Sequence, residues 1–292
     1  MSLVVTLQIF SGRPNPVWVI PDEGEIEFND RLARITSSAR TSSLKPASVM
    51  GGLGYRGFTV QSLDGTQRIA IYSGVIDPGR HSVTFLPDDR ELERWLLTTG
   101  TRVISEGVLS YMDRELKGEL LQGPIILQYP PTLACPVCMA QDAPLLELSF
   151  WSYSSASSAD NNCYNYATDR MTNTIAQPGR ASGYLFTQLN GCSGVGSVQD
   201  AAIFDGLVAC SNFSDPLPAG GGWYVALVLW PGHDFHWYRQ DSKGCWSQKM
   251  GGNDASSFDN SHHSIKDPKA ADRGPYTTFC SYMVTKCCLK IR

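Results

Sequence analysis

The stretch WYVALVLWPGHDFHWYRQDSKGCWSQK, residues 223–249, decides how the second half of the chain folds. Its first eight residues, Trp223–Trp230, are continuously apolar, which is typical of a strand buried on both faces. A Pro-Gly pair then turns the chain. Phe235–Arg239 and Cys245–Lys249 are predicted as two further strands, joined by the five residues Gln240–Gly244. The stretch therefore predicts an antiparallel sheet.

The second predicted strand carries a candidate general base. Alternation along the strand puts His236 on one face, together with Asp234 and Tyr238. With the five-residue loop, His236 lies directly opposite Gln248, at a Cβ separation of about 5 Å. A polar side chain in that place holds the second ring nitrogen and fixes the tautomer of a catalytic imidazole.

A candidate nucleophile lies upstream, in ASSADNNCYNYATDRMTNTIAQPGR, residues 156–180. Apolar spacing predicts a helix that runs from Cys163 to Ile175 and ends before Pro178-Gly179. A thiol in the first turn lies at the positive end of the helix dipole, which favours thiolate, and nearby N–H groups can accept an oxyanion. The alternative is a buried structural cysteine or one half of a disulfide.

These three residues resemble a known pattern. A cysteine at a helix start, a later histidine in an aromatic-rich strand and a polar residue twelve positions further on are similar to the NlpC/P60 branch of the papain-like cysteine peptidases. The resemblance covers residues 150–250 and implies a helix packed on an antiparallel sheet. It also implies that Cys163 is the nucleophile, His236 the base and Gln248 the residue that orients it.

The function expected from this arrangement is a thiol hydrolase that cleaves an amide or peptide bond through an acyl-enzyme. Its partner is a peptide or amide substrate, and it needs no cofactor and no metal. A thiol acyltransferase or transglutaminase-like enzyme shares the same first step and stays open. A metal-dependent hydrolase using His233, Asp234 and His236 is disfavoured, because strand alternation points the two histidines to opposite faces.

A non-enzymatic alternative is a disulfide-braced binding module. In it, dense aromatic residues form either a carbohydrate or peptide platform or the core of a sheet. The aromatic residues concerned are Trp223, Tyr224, Trp230, Trp237, Tyr238 and Trp246. The nine cysteines allow four disulfides and one free thiol, but the CxxC at Cys135 and Cys138 also allows a structural zinc site, and reduced packing cysteines remain a third possibility.

Cysteine placement predicts two domains, because all nine cysteines lie between positions 135 and 288. A Pro-rich passage near residue 130 is the expected boundary. Residues 1–130 form an N-terminal mixed β/α module of unknown role, and residues 131–292 form the cysteine-rich papain-like domain, giving an α+β protein. The module's predicted helices are Glu25–Thr36 and Asp88–Leu97, and its predicted strands are Leu3–Ile9, Phe58–Ser62, Arg68–Tyr72 and Ser82–Leu86.

Composition narrows the classes of partner. The net charge is −4, from 24 basic and 28 acidic side chains, with no basic half to bind nucleic acid. The longest apolar run is too short to span a bilayer, which takes about 20 helical residues. The N-terminus lacks the positive start of a signal peptide, so we expect a cytoplasmic protein or a mature secreted form. The oligomeric state stays open.

Overall fold

A computed structural model divides the chain into two compact units. The first consists of Met1–Ile9, Asn15–Gly51 and Tyr55–Tyr129, and the second of Phe10–Pro14, Gly52–Gly54 and Pro130–Arg292. The structure describes residues 2–37, 40–42, 49–50, 52–78, 83–85, 90–118, 125–126, 143–148, 150–151, 160–214, 216–217, 219–287 and 289–292.

The described residues of the first unit form antiparallel sheet and three helices. Its strands are β1 (Leu3–Leu7), β2 (Val17–Ile20), β3 (Arg40–Ser42), β4 (Val49–Met50), β5 (Phe58–Ser62), β6 (Arg68–Tyr72), β7 (Val75–Asp77), β8 (Val83–Phe85) and β9 (Ile125–Ile126). Seven of them pair in the order β2-β1-β5-β6-β7-β8-β3, and β4 pairs with β9. The helices are α1 (Asp22–Ser37), α2 (Glu91–Thr99) and α3 (Glu106–Leu116).

The hairpin between β5 and β6 follows from its turn residues. The Asp64 carboxylate accepts hydrogen bonds from the Ser62 hydroxyl at 2.6 Å and from the Thr66 N–H at 3.0 Å. Gly65 takes the positive φ of 70° that the turn requires. Gln61 and Arg68 then lie opposite each other, so the two strands predicted here are confirmed.

In the second unit, the part of the chain that the structure describes forms a six-stranded antiparallel sheet and two short helices. The elements are α4 (Cys163–Ala167), α5 (Val198–Phe204), β10 (Val208–Cys210), β11 (Trp223–Trp230), β12 (Asp234–Gln240), β13 (Trp246–Lys249), β14 (Ala255–Ser256) and β15 (Thr278–Thr285). The strand order is β10-β15-β11-β12-β13-β14. The prediction of an α+β protein with antiparallel sheets is confirmed at this level.

Aromatic residues of β11, β12 and β13 form the core of this unit. Trp237 and Tyr238 are completely buried, and none of the six aromatic residues considered as a binding platform is more than 7% exposed. Apolar burial on both faces of β11 is the main source of stability for such a sheet. Of the two fates considered for these residues, the core is the one that the structure shows, and the platform is wrong.

Helix α4 is shorter than predicted, because it ends at Ala167 instead of continuing to Ile175. Asparagine side chains hold the chain that follows in a compact loop. Asn165 Nδ2 donates to the Arg170 carbonyl at 2.8 Å, and Asn161 Oδ1 accepts from the Thr172 N–H at 2.9 Å. These bonds satisfy backbone groups that a longer helix would otherwise pair within itself.

One disulfide joins Cys192 and Cys280 across 88 positions of sequence, and Cys245 is disulfide-bonded as well. Cys163 is a free, buried thiol. The CxxC of Cys135 and Cys138 lies outside the described residues, so the zinc alternative there stays a prediction. In the described part of the chain, no helix combines the length and the hydrophobicity needed to cross a bilayer.

Candidate functional site

Helix α4 presents Cys163 to the sheet of the second unit. The Asn162 side chain caps the helix by accepting from the N–H groups of Tyr164 and Asn165, each at 3.1 Å. The Asn162 N–H in turn donates to Asn165 Oδ1 at 3.1 Å, which completes a capping box. The helix packs against β12, and Cys163 is 0% exposed.

The environment of Cys163 keeps its thiol protonated. Burial, followed by the negative charge of Asp234, raises the pKa of the thiol from 9.0 to about 12. The Trp237 N–H and the Ser11 hydroxyl oppose this rise in pKa, but burial outweighs them. At neutral pH the thiol therefore does not ionise, and the expectation that the helix start makes it a thiolate is wrong.

His236 lies on β12 and is fully buried. Its Nδ1 atom is 2.6 Å from the hydroxyl oxygen of Ser11. That oxygen also accepts a hydrogen bond from the Gly251 N–H at 3.2 Å. Because the Ser11 hydroxyl also acts on the pKa of Cys163, it adjoins both predicted catalytic side chains.

Gln248 does not take the place predicted for it. Strand β12 ends at Gln240, and β13 begins at Trp246. In this register Tyr238 lies opposite Gln248. The Asp241 carboxylate accepts from the N–H groups of Lys243 at 2.8 Å and Cys245 at 2.9 Å, and this fixes the loop one residue later than expected at both ends. The predicted pairing of His236 with Gln248 is therefore wrong.

The Gln248 side chain makes its contact elsewhere. Its Nε2 atom donates to the Phe258 carbonyl at 2.7 Å. Within the described residues, no donor reaches its buried Oε1 atom. The side chain that holds Nδ1 of His236 is thus Ser11, which lies near the other end of the sequence.

Asp234 is the second polar group that sequence reasoning did not place. It is 0% exposed, and its carboxylate accepts from the N–H groups of Ser11, Gly12 and Arg13 at 2.6, 3.1 and 2.9 Å. The Tyr276 hydroxyl donates to it at 2.5 Å. Burial raises the pKa of Asp234, although the Tyr276 hydroxyl and the N–H groups of Ser11 and Gly12 act in the opposite direction. The sequence signal nearest to this contact is GRPNP, residues 12–16, whose glycine and prolines indicate a turn but do not indicate which distant residue the turn contacts.

A metal site is not formed by these residues. Asp234 faces three backbone donors and a hydroxyl, which is the environment of a buried anion and not of a metal ligand. Among the residues that the structure describes, no group of three or more His, Cys, Asp or Glu side chains could hold a metal ion.

The comparisons with known proteins point away from catalysis. The chain is similar to insoluble matrix shell protein 1 of Ruditapes philippinarum, with 47% identity over 123 residues. The matched region is 42% of this chain and 78% of the relative. No family model matches the chain, and no solved structure does.

This relationship overturns the predicted enzyme. The relative bears the name of a structural protein, and the name indicates no enzyme, so the predicted thiol hydrolase with a peptide or amide substrate is wrong, as is the acyltransferase alternative. The burial and the raised pKa of Cys163 give the same answer on physical grounds. Since the match covers more than three quarters of the relative at this identity, the chain belongs to the family of insoluble matrix shell protein 1.

Proposed function

We propose that this chain is a non-enzymatic, disulfide-braced structural component of an insoluble shell matrix. The observation that carries the proposal is the 47% identity to the matrix protein of Ruditapes philippinarum. The disulfides support it, because the Cys192–Cys280 bond and the disulfide at Cys245 are typical of proteins that work in an oxidising, extracellular setting.

Charge favours the organic part of such a matrix as the partner. A protein that binds carbonate mineral directly needs clustered carboxylates, since calcium prefers several oxygen ligands. This chain has 28 acidic and 24 basic side chains, and its described residues hold no cluster of metal-binding side chains. We therefore propose that the chain associates with the polymers of the matrix and not with the mineral surface.

We also propose that residues 150–250 keep a papain-like arrangement without its chemistry. Two observations support this: Cys163 begins α4, and α4 packs on β12, the strand that carries His236. A buried thiol with a pKa near 12 suits a packing role. An experimental structure in which this helix and sheet fail to superpose on a papain-like domain would overturn the fold proposal.

A partition assay tests the matrix role. The folded chain is incubated with the insoluble organic residue of demineralised Ruditapes philippinarum shell and, separately, with calcium carbonate powder. We expect saturable retention on the organic residue and at least tenfold less on the mineral. Chain unfolded by reduction in denaturant serves as a control for non-specific adsorption. Equal retention of folded and unfolded chain, or retention on the mineral alone, contradicts the proposal.

A further inference from the structure

Residues Phe10–Pro14, here called the SGR loop, are bound by the second unit as a peptide ligand would be. Three successive N–H groups of the loop, from Ser11 to Arg13, donate to one fully buried carboxylate, that of Asp234. Successive amides that converge on one anion form a recognised binding arrangement. The loop connects β1 and β2 in sequence, yet it belongs to the second unit.

Side-chain amides bind the same loop from another direction. The Gly12 carbonyl accepts from Asn162 Nδ2 at 2.6 Å and from Gln177 Nε2 at 2.7 Å. Both amide side chains are at most 5% exposed. The loop thus has its donors and its acceptor matched by buried groups, which is how a site selects a peptide backbone in one register.

Two further contacts select the side chains of the loop. The Ser11 hydroxyl is 2.6 Å from Nδ1 of His236. The Arg13 guanidinium donates to the His233 carbonyl at 2.6 Å. A serine and an arginine at these positions therefore each have a specific partner.

The middle position of the loop accepts only glycine. A Cβ atom on Gly12 would lie 2.4 Å from Cε2 and 2.5 Å from the carbonyl oxygen of Phe235. The second of these is a backbone atom in the interior of β12, so it does not move aside as the end of a flexible side chain would. We name the residues that bind the loop the SGR socket: Asn162, Gln177, His233, Asp234, Phe235 and His236.

We propose that the SGR socket is a peptide-recognition site for a Ser-Gly-Arg segment, and that in assembled material it accepts the SGR loop of a second copy of this chain. The part that concerns a second copy rests on the proposed matrix function. Every copy carries one loop and one socket, and an exchanged loop makes the same bonds as its own. Exchange of an identical element is a low-cost route to association, and unclosed exchange builds open chains. The protein concentration then determines whether the chain is a monomer or is associated with other copies.

Complementation between two variants tests the proposal. Gly12→Ala gives a chain whose socket is intact and whose loop cannot bind. Asp234→Asn gives a chain whose loop is intact and whose socket is weakened. Each alone is expected to stay a monomer, whereas an equimolar mixture should form a one-to-one complex of about twice the 32.0 kDa chain mass by light scattering.

Gly191→Ala is the matched control, because among the described residues a Cβ at Gly191 meets only Gln188 Oε1, at 3.8 Å. This variant keeps its own loop bound and should give no complex with Asp234→Asn. If the Gly12→Ala mixture stays monomeric while both variants are folded by circular dichroism, exchange between copies is overturned. The complementation assay contains no matrix material, so a negative result overturns loop exchange without contradicting the matrix role. The partition assay tests the matrix role independently.

A peptide arm tests recognition by itself. The peptide of residues 8–16 should bind the Gly12→Ala chain at least tenfold more tightly than the same peptide carrying alanine at position 12, by titration calorimetry. If Gly12→Ala does not fold, Ser11→Ala replaces it as the loop variant, since it adds no atom to the site. Equal binding of the two peptides overturns recognition.

Discussion

Ser11 places its hydroxyl oxygen 2.6 Å from Nδ1 of His236, across 225 positions of sequence. Both side chains are fully buried in the second unit. The same oxygen accepts from the Gly251 N–H. Since a buried polar group that loses its partner is destabilising, this contact contributes to stability even in a protein without catalysis.

Ser11→Ala should therefore destabilise the chain. The substitution leaves His236 Nδ1 and the Gly251 N–H without the hydroxyl, at an expected loss of about 1–3 kcal/mol in the free energy of unfolding. Urea unfolding followed by circular dichroism measures it. Ser37→Ala is the control, because that exposed hydroxyl donates to the Arg34 carbonyl of its own helix, and its loss should change stability by less than about 0.5 kcal/mol. Equal losses for the two variants would contradict the role given to Ser11.

Cys163 should resist alkylation in the folded chain. Its sulfur is 0% exposed and its pKa is about 12, so at pH 8 the thiolate that reacts with iodoacetamide is scarce and inaccessible. We expect modification at least about a hundredfold slower than in denaturant, as read by peptide mass mapping. Rapid native labelling of Cys163 would show that this site opens readily and that the thiol is activated.

Glu115 of α3 makes the stability of the first unit depend on pH. It is 6% exposed, and burial raises the pKa of its carboxyl group from 4.5 to about 7, against the opposing charges of Arg90 and Arg114. Within the described residues no donor reaches its Oε2 atom. The folded state therefore binds this proton more tightly than the unfolded state does. The stabilisation is complete below pH 4.5 and is lost as the pH rises through 7.

Wild type should accordingly be less stable at pH 8 than at pH 5, and Glu115→Gln should remove about 1–3 kcal/mol of that difference, because an amide carries no charge at either pH. Urea unfolding at the two pH values measures this. Glu106→Gln is the matched control, since Glu106 is exposed on the same helix, and it should follow wild type. A Glu115→Gln chain with the full wild-type pH dependence would show that another group is responsible.

The Cys192–Cys280 disulfide should contribute substantially to the second unit. It closes a loop of 88 positions, and loops of this length gain about 2–5 kcal/mol from restriction of the unfolded chain. The double variant Cys192→Ala/Cys280→Ala should lower the thermal midpoint under non-reducing conditions. The single variant Cys192→Ala should lose about as much, because either change opens the loop. An unchanged thermal midpoint in both variants would show that other contacts, and not this disulfide, stabilise the second unit.

Local sequence patterns predicted the strands well and the site poorly, for a physical reason. The apolar run of β11 and the turn at Asp64-Gly65 are local features, so each is readable from its own residues. The register between β12 and β13 depends on one side chain, Asp241, which shifts the loop by one residue at both ends. A shift of that kind moves every cross-strand partner.

The contacts of the SGR loop were beyond local reasoning. Ser11 and Asp234 are 223 positions apart, and no periodicity in either segment refers to the other. The predicted length of α4 was wrong for a different reason. Asparagine side chains bond to the chain that follows Ala167, although the apolar spacing continues to Ile175. Burial of Cys163 likewise outweighs the helix dipole, and a sequence does not show burial directly.

Two glycines have nearly the same backbone φ but different surroundings, so comparing their alanine variants separates the effect of backbone strain from that of steric overlap. Gly179 and Gly183 have φ angles of 79° and 78°, so alanine is strained equally at both. A Cβ on Gly183 would meet no described atom within 4 Å, whereas one on Gly179 would lie 1.7 Å from the Tyr184 carbonyl oxygen. The Gly179 carbonyl also accepts from the Tyr184 N–H at 2.8 Å, and the Gly179 N–H donates to the Asp205 carboxylate at 2.7 Å.

Gly183→Ala should thus cost about 1 kcal/mol from backbone strain alone. Gly179→Ala must displace backbone as well, which breaks the bond to Tyr184 and disturbs the buried Asp205 carboxylate, so we expect a loss of at least about 3 kcal/mol. Urea unfolding of the two variants in parallel gives the difference directly, because the strain common to both cancels. Losses that agree within about 0.5 kcal/mol would mean that the Gly179 turn relaxes without breaking its hydrogen bonds, and that the close approach of Tyr184 is not a constraint on the fold.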